Sequence, residues 1–252
     1  MENKNVYGIY FSPTGTSKKG VLTIAGEFSE QVNIIDMTKL SAKISKSEFD
    51  ENDIVVFGGH VYSGRLYSEF AEKLRCLKGK NTPCIITVTY GNRDFDDALI
   101  EMYDIVKECG FIPFAGGALV AQHTYGEIAI GRPNQNDIDE DIEFANKAKQ
   151  FQNCQSLLTV KGNRPYRDGG KGHFTPLTNM DVCTNCGFCA RECPADAIDP
   201  VRSFITDGEK CISCFRCINV CPKQARNMNT EGYKKFAAEF TQKLSIPQKN
   251  IY

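Results

Sequence analysis

The sequence predicts an α/β fold: a doubly wound, five-stranded parallel sheet followed by a second, small α+β domain built around cysteines. Three observations carry this. Short apolar runs alternate with stretches of helical periodicity over roughly the first 150 residues. Eight of the twelve cysteines crowd into residues 183–221, in two identically spaced runs. Between these regions, Lys161-Gly162-Asn163-Arg164-Pro165-Tyr166-Arg167-Asp168-Gly169-Gly170-Lys171-Gly172 has no apolar periodicity, so it reads as a linker or a long crossing loop. The expected division is 1–160, a linker over 161–176, a cysteine domain over 177–228, and a C-terminal amphipathic helix and tail over 229–252.

The elements follow in order. Val6–Phe11 is a short apolar run, as a strand buried on both faces requires. Val21, Leu22, Ile24, Ala25 and Phe28 share one face of a helix over 16–28. Val32–Ile35 is a second strand, and Ile54–Phe57 a third, closed by Gly58-Gly59. Residues 66–77 form a helix and Cys84–Thr89 the fourth strand. Ala98, Leu99, Met102, Ile105, Val106 and Cys109 define a helix over 95–109 that stops at Gly110. Ile112–Ala121 contains the fifth strand. The last helix of this region, 137–152, has acidic residues at its start and Lys147 and Lys149 near its end, the order that complements the helix dipole. Strands alternating with helices wind into a parallel sheet through right-handed crossovers. Ligands of such sheets bind beyond the carboxyl ends of the strands.

Composition narrows the function. Thirty Lys and Arg against 31 Asp and Glu leave a net charge of −1, which argues against a nucleic-acid binder. No run approaches the length of a membrane span and no leader is visible, so the chain reads as cytoplasmic, without membrane insertion. In a reducing compartment, clustered cysteines mean metal or redox chemistry rather than disulfides. The four scattered ones, Cys76, Cys84, Cys109 and Cys154, read as buried small apolar residues.

The loop after the first strand, Ser12-Pro13-Thr14-Gly15-Thr16-Ser17, leads straight into a helix. Hydroxyls at 12, 14, 16 and 17, Gly15 and free helix N–H groups make a cradle for a phosphate monoester. It has neither the Lys of a nucleotide-triphosphatase loop nor the glycine pattern of a dinucleotide site. The loops Gly58-Gly59-His60-Val61-Tyr62-Ser63-Gly64-Arg65 and Thr89-Tyr90-Gly91-Asn92-Arg93-Asp94 each place an aromatic beside glycine, which lets backbone amides approach a planar ring.

This layout resembles flavodoxin, the small electron carrier that binds flavin mononucleotide (FMN), over about residues 4–155. The resemblance implies that residues 12–17 hold the FMN phosphate and that residues in 58–65 and 89–94 flank its ring, with Tyr62 where small flavodoxins commonly carry Trp.

Cys183, Cys186, Cys189 and Cys193 follow the spacing C-x2-C-x2-C-x3-C, with Pro194 next; Cys211, Cys214, Cys217 and Cys221 repeat it 28 residues later, with Pro222 next. This is the bacterial ferredoxin run, whose fourth cysteine ligates the other cluster. Three close thiolates reach three corners of one cube while the fourth is turned toward its neighbour. Two [4Fe–4S] clusters follow, one on Cys183, Cys186, Cys189 and Cys221, the other on Cys211, Cys214, Cys217 and Cys193. Structural zinc, which uses separated pairs, does not fit. This part resembles the bacterial two-cluster ferredoxins over about residues 174–227. Beyond it, Tyr233, Phe236, Ala237, Phe240 and Leu244 recur at helical spacing, as for a docked amphipathic helix.

As a whole the chain resembles the flavodoxin–ferredoxin fusion proteins of anaerobic bacteria and archaea. The resemblance implies an electron-transfer protein that passes electrons between FMN and its clusters and exchanges them with redox partner proteins. The alternative is a flavin-dependent reductase of a small substrate, with His60, Tyr62, Tyr90 or His123 as proton donor. A third reading is a docking platform without flavin, against which the intact hydroxyls of 12–17 speak. Lys161, Arg164, Arg167 and Lys171 read as a solvated linker face, and the sequence specifies no oligomeric state.

Overall fold

The computed structural model describes residues 4–152, 158–170 and 172–252; Cys154 and Lys171 lie outside them. Five parallel strands form the main sheet: β1 (Asn5–Tyr10), β2 (Val32–Asp36), β3 (Asp53–Tyr62), β4 (Thr82–Tyr90) and β5 (Phe111–Val120). Their spatial order is 2-1-3-4-5, the flavodoxin-like doubly wound order, with its switch point between β1 and β3. Helices α1 (Thr16–Gly26) and α4 (Gln135–Ala148) cover one face; α2 (Ser68–Arg75) and α3 (Ala98–Glu108) cover the other.

Strand side chains alternate between two cores. Ile9, Phe11, Val55, Phe57, Ile86 and Val88 pack with Phe70 and Leu74 of α2 and with Met102 and Ile105 of α3. Val6, Tyr10, Ile54, Val56 and Ile85 pack with Val21 and Ile24 of α1 and with Phe144 and Ala145 of α4. Helix α4 begins in a capping box: Asn134 accepts from the Asp137 amide while the Asp137 carboxylate accepts from the Asn134 amide.

The third strand runs further than its sequence indicates. Gly58 and Gly59 do not end it; it continues through Tyr62, turns at Ser63 (φ 50°) and Gly64 (φ 84°), and returns as Arg65–Leu66. Two left-handed residues make the two-residue hairpin turn that matches strand twist. The glycines serve packing instead: a Cβ on Gly58 would lie 2.2 Å from Val21 Cγ2, and one on Gly59 would lie 2.8 Å from Phe70 Cε1.

The cysteine-rich part is small. Leu177–Thr178 pairs antiparallel with Arg226–Asn227, Ile198 bridges Thr206, and two single helical turns occur at Phe188–Arg191 (α5) and Arg216–Asn219 (α6). Helix α7 (Glu231–Lys243), capped by Thr230, turns Tyr233, Phe236 and Phe240 toward a ring cluster of His123, Tyr125, Phe174 and Phe215. The tail then crosses the outer edge of the sheet. Ile251 exchanges backbone hydrogen bonds with Ala118 of β5, and Tyr252 stacks on Phe144 with ring centroids 4.6 Å apart.

The stretch after residue 160 is solvent-exposed, and its cations are also clamped by carboxylates. Asp97 accepts hydrogen bonds from the amides of Asn163 and Arg167, both 2.8 Å. Lys161 pairs with Asp94, Arg164 with Asp104 and Arg167 with Asp96. Arg65 lies 4.6 Å from the Tyr166 ring and donates to the Arg167 carbonyl.

Candidate redox centre

The two cysteine runs fold alike. In the first, Asn185 and Gly187 adopt left-handed backbone (φ 51° and 73°), and so do Ser213 and Phe215 in the second (φ 55° and 57°). The same pairing recurs after each fourth cysteine, at Asp196 and Gln224 (φ 48° and 51°). Left-handed residues flanking the middle thiols coil each loop tightly, so that its first three cysteines face one cavity. Cys183, Cys186 and Cys189 line one cavity together with Cys221. Cys211, Cys214 and Cys217 line the other together with Cys193. Among the described residues no three His, Cys, Asp or Glu side chains converge closely enough for a single metal ion. Four thiols spread over the walls of a cavity fit a multi-atom inorganic core instead.

The walls suit sulfur ligands. The Ala197 amide donates to Cys193 Sγ (3.3 Å) and the Ala225 amide to Cys221 Sγ (3.2 Å), again at equivalent positions. Burial pushes the Cys217 thiol up to about 11 and raises Cys189, Cys211 and Cys214 as well. At Cys221 burial also raises, but the amides of Ala225, Lys223 and Arg226 outweigh it and the thiol is lowered. Metal loading therefore displaces protons from several of these groups.

The loop after β1 lies at the amino end of α1. Gly15 caps the helix at φ 87°, with open space where a Cβ would stand. No acidic residue occupies the first turn, so the positive end of the helix dipole is not offset. The Ser12 hydroxyl accepts from the Lys18 amide (2.9 Å), and the Ser12 amide donates to Thr38 Oγ1 (2.9 Å). Ser17 Oγ is buried without a hydrogen-bond partner among the described residues. Thr14 and Thr16 face each other at 3.3 Å and line a cavity of about 470 Å³. Opposite them stand Gln122, His123 and Arg132 from the segment after β5, and Phe215, Ile218 and Asn219 from the cysteine-rich part. Phe215 also lines the cavity of Cys193, Cys211, Cys214 and Cys217. One side chain thus borders both spaces.

The other residues singled out in the sequence lie elsewhere. Gly59, Val61 and Tyr62 sit in the extended end of β3, with Tyr62 partly buried beside Tyr67 and near Cys214. Ser63 and Gly64 form the hairpin turn against Gly170, Arg167 and Asp96. Thr89 is the last residue but one of β4, and its buried hydroxyl has no hydrogen-bond partner among the described residues. The Tyr90 hydroxyl donates to the Lys249 carbonyl (2.8 Å). Asn92 donates to the carbonyls of Leu244 and Ile246 and accepts from the Gln248 amide, so it anchors the tail. A Cβ on Gly91 would lie 2.3 Å from His123. Burial, joined at His60 by the charge of His123, lowers His60 to about 4; burial likewise lowers His123 to about 4. Both rings are neutral near pH 7.

The cysteine-rich part packs on the carboxyl end of the sheet. Ile212 enters the core that contains Phe11 and Tyr67, with Cys214 and Ala195 against it. The Leu40 amide donates to the Pro194 carbonyl (3.0 Å), Lys39 pairs with Asp196, and Arg216 donates to the Pro13 carbonyl (2.8 Å). The last bond joins α6 directly to the hydroxyl-rich loop.

A flavodoxin-like sheet carrying a paired cysteine module against its switch point defines an iron–sulfur electron-transfer protein. Residues 182–225 match the family described as 4Fe-4S dicluster domain. PorD, a component of the pyruvate synthase of Thermotoga maritima, is 34% identical over 70 residues, which cover 27% of this chain and 71% of that one. The chain belongs to this dicluster ferredoxin family. The B component of the ion-translocating oxidoreductase complex of Methanosarcina acetivorans is 44% identical over 170 residues, and the match spans 60% of each protein. An archaeal flavodoxin structure is 14% identical with a TM-score of 0.42, covering 57% of this chain and 99% of that one; the fold assignment rests on the strand order instead. Among the described residues no helix is long and apolar enough to cross a membrane.

Proposed function

We propose that this chain passes electrons between FMN, bound at the hydroxyl-rich loop, and two [4Fe–4S] clusters, and exchanges them with redox partner proteins. In this reading Cys183, Cys186, Cys189 and Cys221 hold one cluster and Cys193, Cys211, Cys214 and Cys217 the other. Ser12, Thr14, Thr16 and Ser17 supply neutral donors to the flavin phosphate at the positive end of α1. When bound, the flavin takes up one or two electrons and each cluster one. The observation that carries the reading is Phe215, which borders both the cavity at Thr14 and Thr16 and the cage of Cys193, Cys211, Cys214 and Cys217. Placing both centres on one packed chain keeps the effective concentration of each at the other high.

A substrate reductase needs a proton donor beside the flavin. Of the four candidate donors, His60 and His123 are lowered by burial and are neutral imidazoles rather than imidazolium acids at pH 7, and the Tyr90 hydroxyl is committed to the Lys249 carbonyl. The test is cofactor content after strictly anaerobic purification. The expected result is about one FMN, released on denaturation, and about eight irons and eight sulfides per chain. A flavin-free preparation from flavin-replete cells, or a chain holding fewer than about four irons after reconstitution, would overturn the proposal.

A further inference from the structure

The internal repeat singles out one residue that the cluster ligands do not account for. Each run ends in Cys-Pro-x-x-Ala, and the alanine amide donates to the fourth cysteine. The next residue is Ile198 in the first run and Arg226 in the second. Both are buried, at 5% and 3% exposure. An arginine therefore occupies a position whose repeat partner is a plain core side chain.

Its surroundings do not neutralise it. The guanidinium donates to Thr178 Oγ1 and Thr206 Oγ1, both 2.5 Å, and among the described residues the buried Nε has no hydrogen-bond partner. Among the described residues no carboxylate pairs with Arg226, whereas Arg216, Arg132 and Arg65 each have one. A buried cation with only neutral partners is strongly disfavoured unless a counter-charge is close. On the cavity wall that Arg226 shares with Thr184, Ser203 and Lys223 stand four thiols. Arg226 lines the cavity of Cys183, Cys186, Cys189 and Cys221.

We infer that Arg226 is the internal counter-ion of the iron–sulfur centres and holds the potential of the cluster in the cavity it lines above the value an apolar residue would allow. Four thiolates on an iron–sulfide core leave a net negative charge, and reduction adds one more. A fixed positive charge in a low-dielectric wall stabilises the reduced form more than the oxidised form. The effect requires proximity and burial, both of which Arg226 has, and no proton movement, because arginine stays charged. The inference rests on the reading that these cavities hold clusters.

The test compares Arg226→Ile, which copies the first repeat, Arg226→Gln, which keeps a polar group for the threonines, and Arg226→Lys, which keeps the charge. Anaerobic redox titration followed by electron spin resonance reads the potential of each full-length variant after iron and sulfide content has been measured. For the two neutral variants, the reduction equilibrium of one cluster is expected to fall at least tenfold, which is 59 mV for a one-electron couple. Arg226→Lys is expected to move it less than tenfold. If the neutral variants fail to load iron in a reconstitution where Arg226→Lys loads fully, the charge itself is required and the inference stands. Unchanged potentials in fully loaded neutral variants would overturn it, as would failure of all three variants to load, which marks a packing role for the arginine. A wild-type chain that takes up no iron would remove the cluster reading itself, a result distinct from any of these.

Discussion

Crossed ligation makes opposite predictions for two double substitutions that remove the same number of thiols. Cys193 lines the cavity of Cys211, Cys214 and Cys217, although in sequence it is only four residues beyond Cys189. Cys193→Ala/Cys217→Ala takes both thiols from one cage, leaves it two ligands and leaves the other cage whole. The expected chain keeps one four-iron cluster, about four irons, and about one spin per chain after full reduction. Cys193→Ala/Cys189→Ala takes one thiol from each cage and leaves both with three. No complete four-iron site remains, so the spin of the reduced four-iron cluster falls toward zero while three-iron species or bare protein appear. If each run instead holds its own cluster, the outcomes exchange: the 189/193 pair retains one intact cluster and the 193/217 pair retains none. Iron analysis with electron spin quantitation on reconstituted chains separates these cases without any partner protein. An intact reduced cluster in Cys193→Ala/Cys189→Ala would refute the crossed arrangement.

Three further predictions follow from individual side chains. Among the described residues the buried Ser17 Oγ has no hydrogen-bond partner, so Ser17→Ala is expected to leave the melting temperature of the flavin-free chain unchanged or higher. The same change is expected to weaken FMN binding about tenfold or more, the worth of one hydrogen bond to a charged phosphate; equal FMN affinity would remove Ser17 from the site. Asp97 is lowered, chiefly by the Arg167 amide, against its ordinary 3.8. A lowered carboxylate contributes stability above its unfolded value and loses it on acidification. The 161–167 clamp is therefore expected to open to limited proteolysis as the pH falls below about 4, and in Asp97→Ala at neutral pH with a loss of about 2 kcal/mol in urea unfolding. Cleavage that does not change with pH would count against the clamp. Asp141 is raised to about 7, by burial first and then by Asp137 and Glu140, while the Tyr252 hydroxyl opposes the rise. Its folded form binds a proton that the unfolded form has lost, so stability declines as pH climbs from about 4 to about 7. Asp141→Asn is expected to raise the melting temperature at pH 8 and to leave it little changed at pH 4, and equal effects at both would contradict this assignment.

Much of this molecule was readable from local pattern. The inner strands announce themselves because a strand covered on both faces needs a continuous apolar run, and Cys84–Thr89 lies wholly within β4, each of whose residues is buried. The two cysteine runs were readable from their spacing, and each of the two cavities is lined by three cysteines of one run and the fourth of the other. What stayed hidden depends on partners distant in sequence. Gly58-Gly59 reads as punctuation, yet it exists to admit Val21 and Phe70, which come from helices on opposite faces of the sheet. The linker cations find carboxylates 60 to 71 positions away, which no local window contains. The tail has no strand-like alternation; Asn92, Asn250 and Asp141 hold it through polar bonds that span 110 to 156 positions. Tyr90 and Asn92 read as ring-flanking residues because of the loop they occupy, and in the structure both bind that tail. Arg226 becomes conspicuous only when the two cysteine runs are laid over each other.

The central claim is that electrons move between flavin and cluster inside one chain, past Phe215. The direct measurement is rapid anaerobic mixing of the fully loaded protein with less than one equivalent of a one-electron reductant, followed by optical and spin detection of how the electron redistributes. The redistribution rate is expected to stay constant over a tenfold range of protein concentration, as an intramolecular step requires. A rate that scales with protein concentration, or an electron that never leaves the centre it first enters, would contradict it.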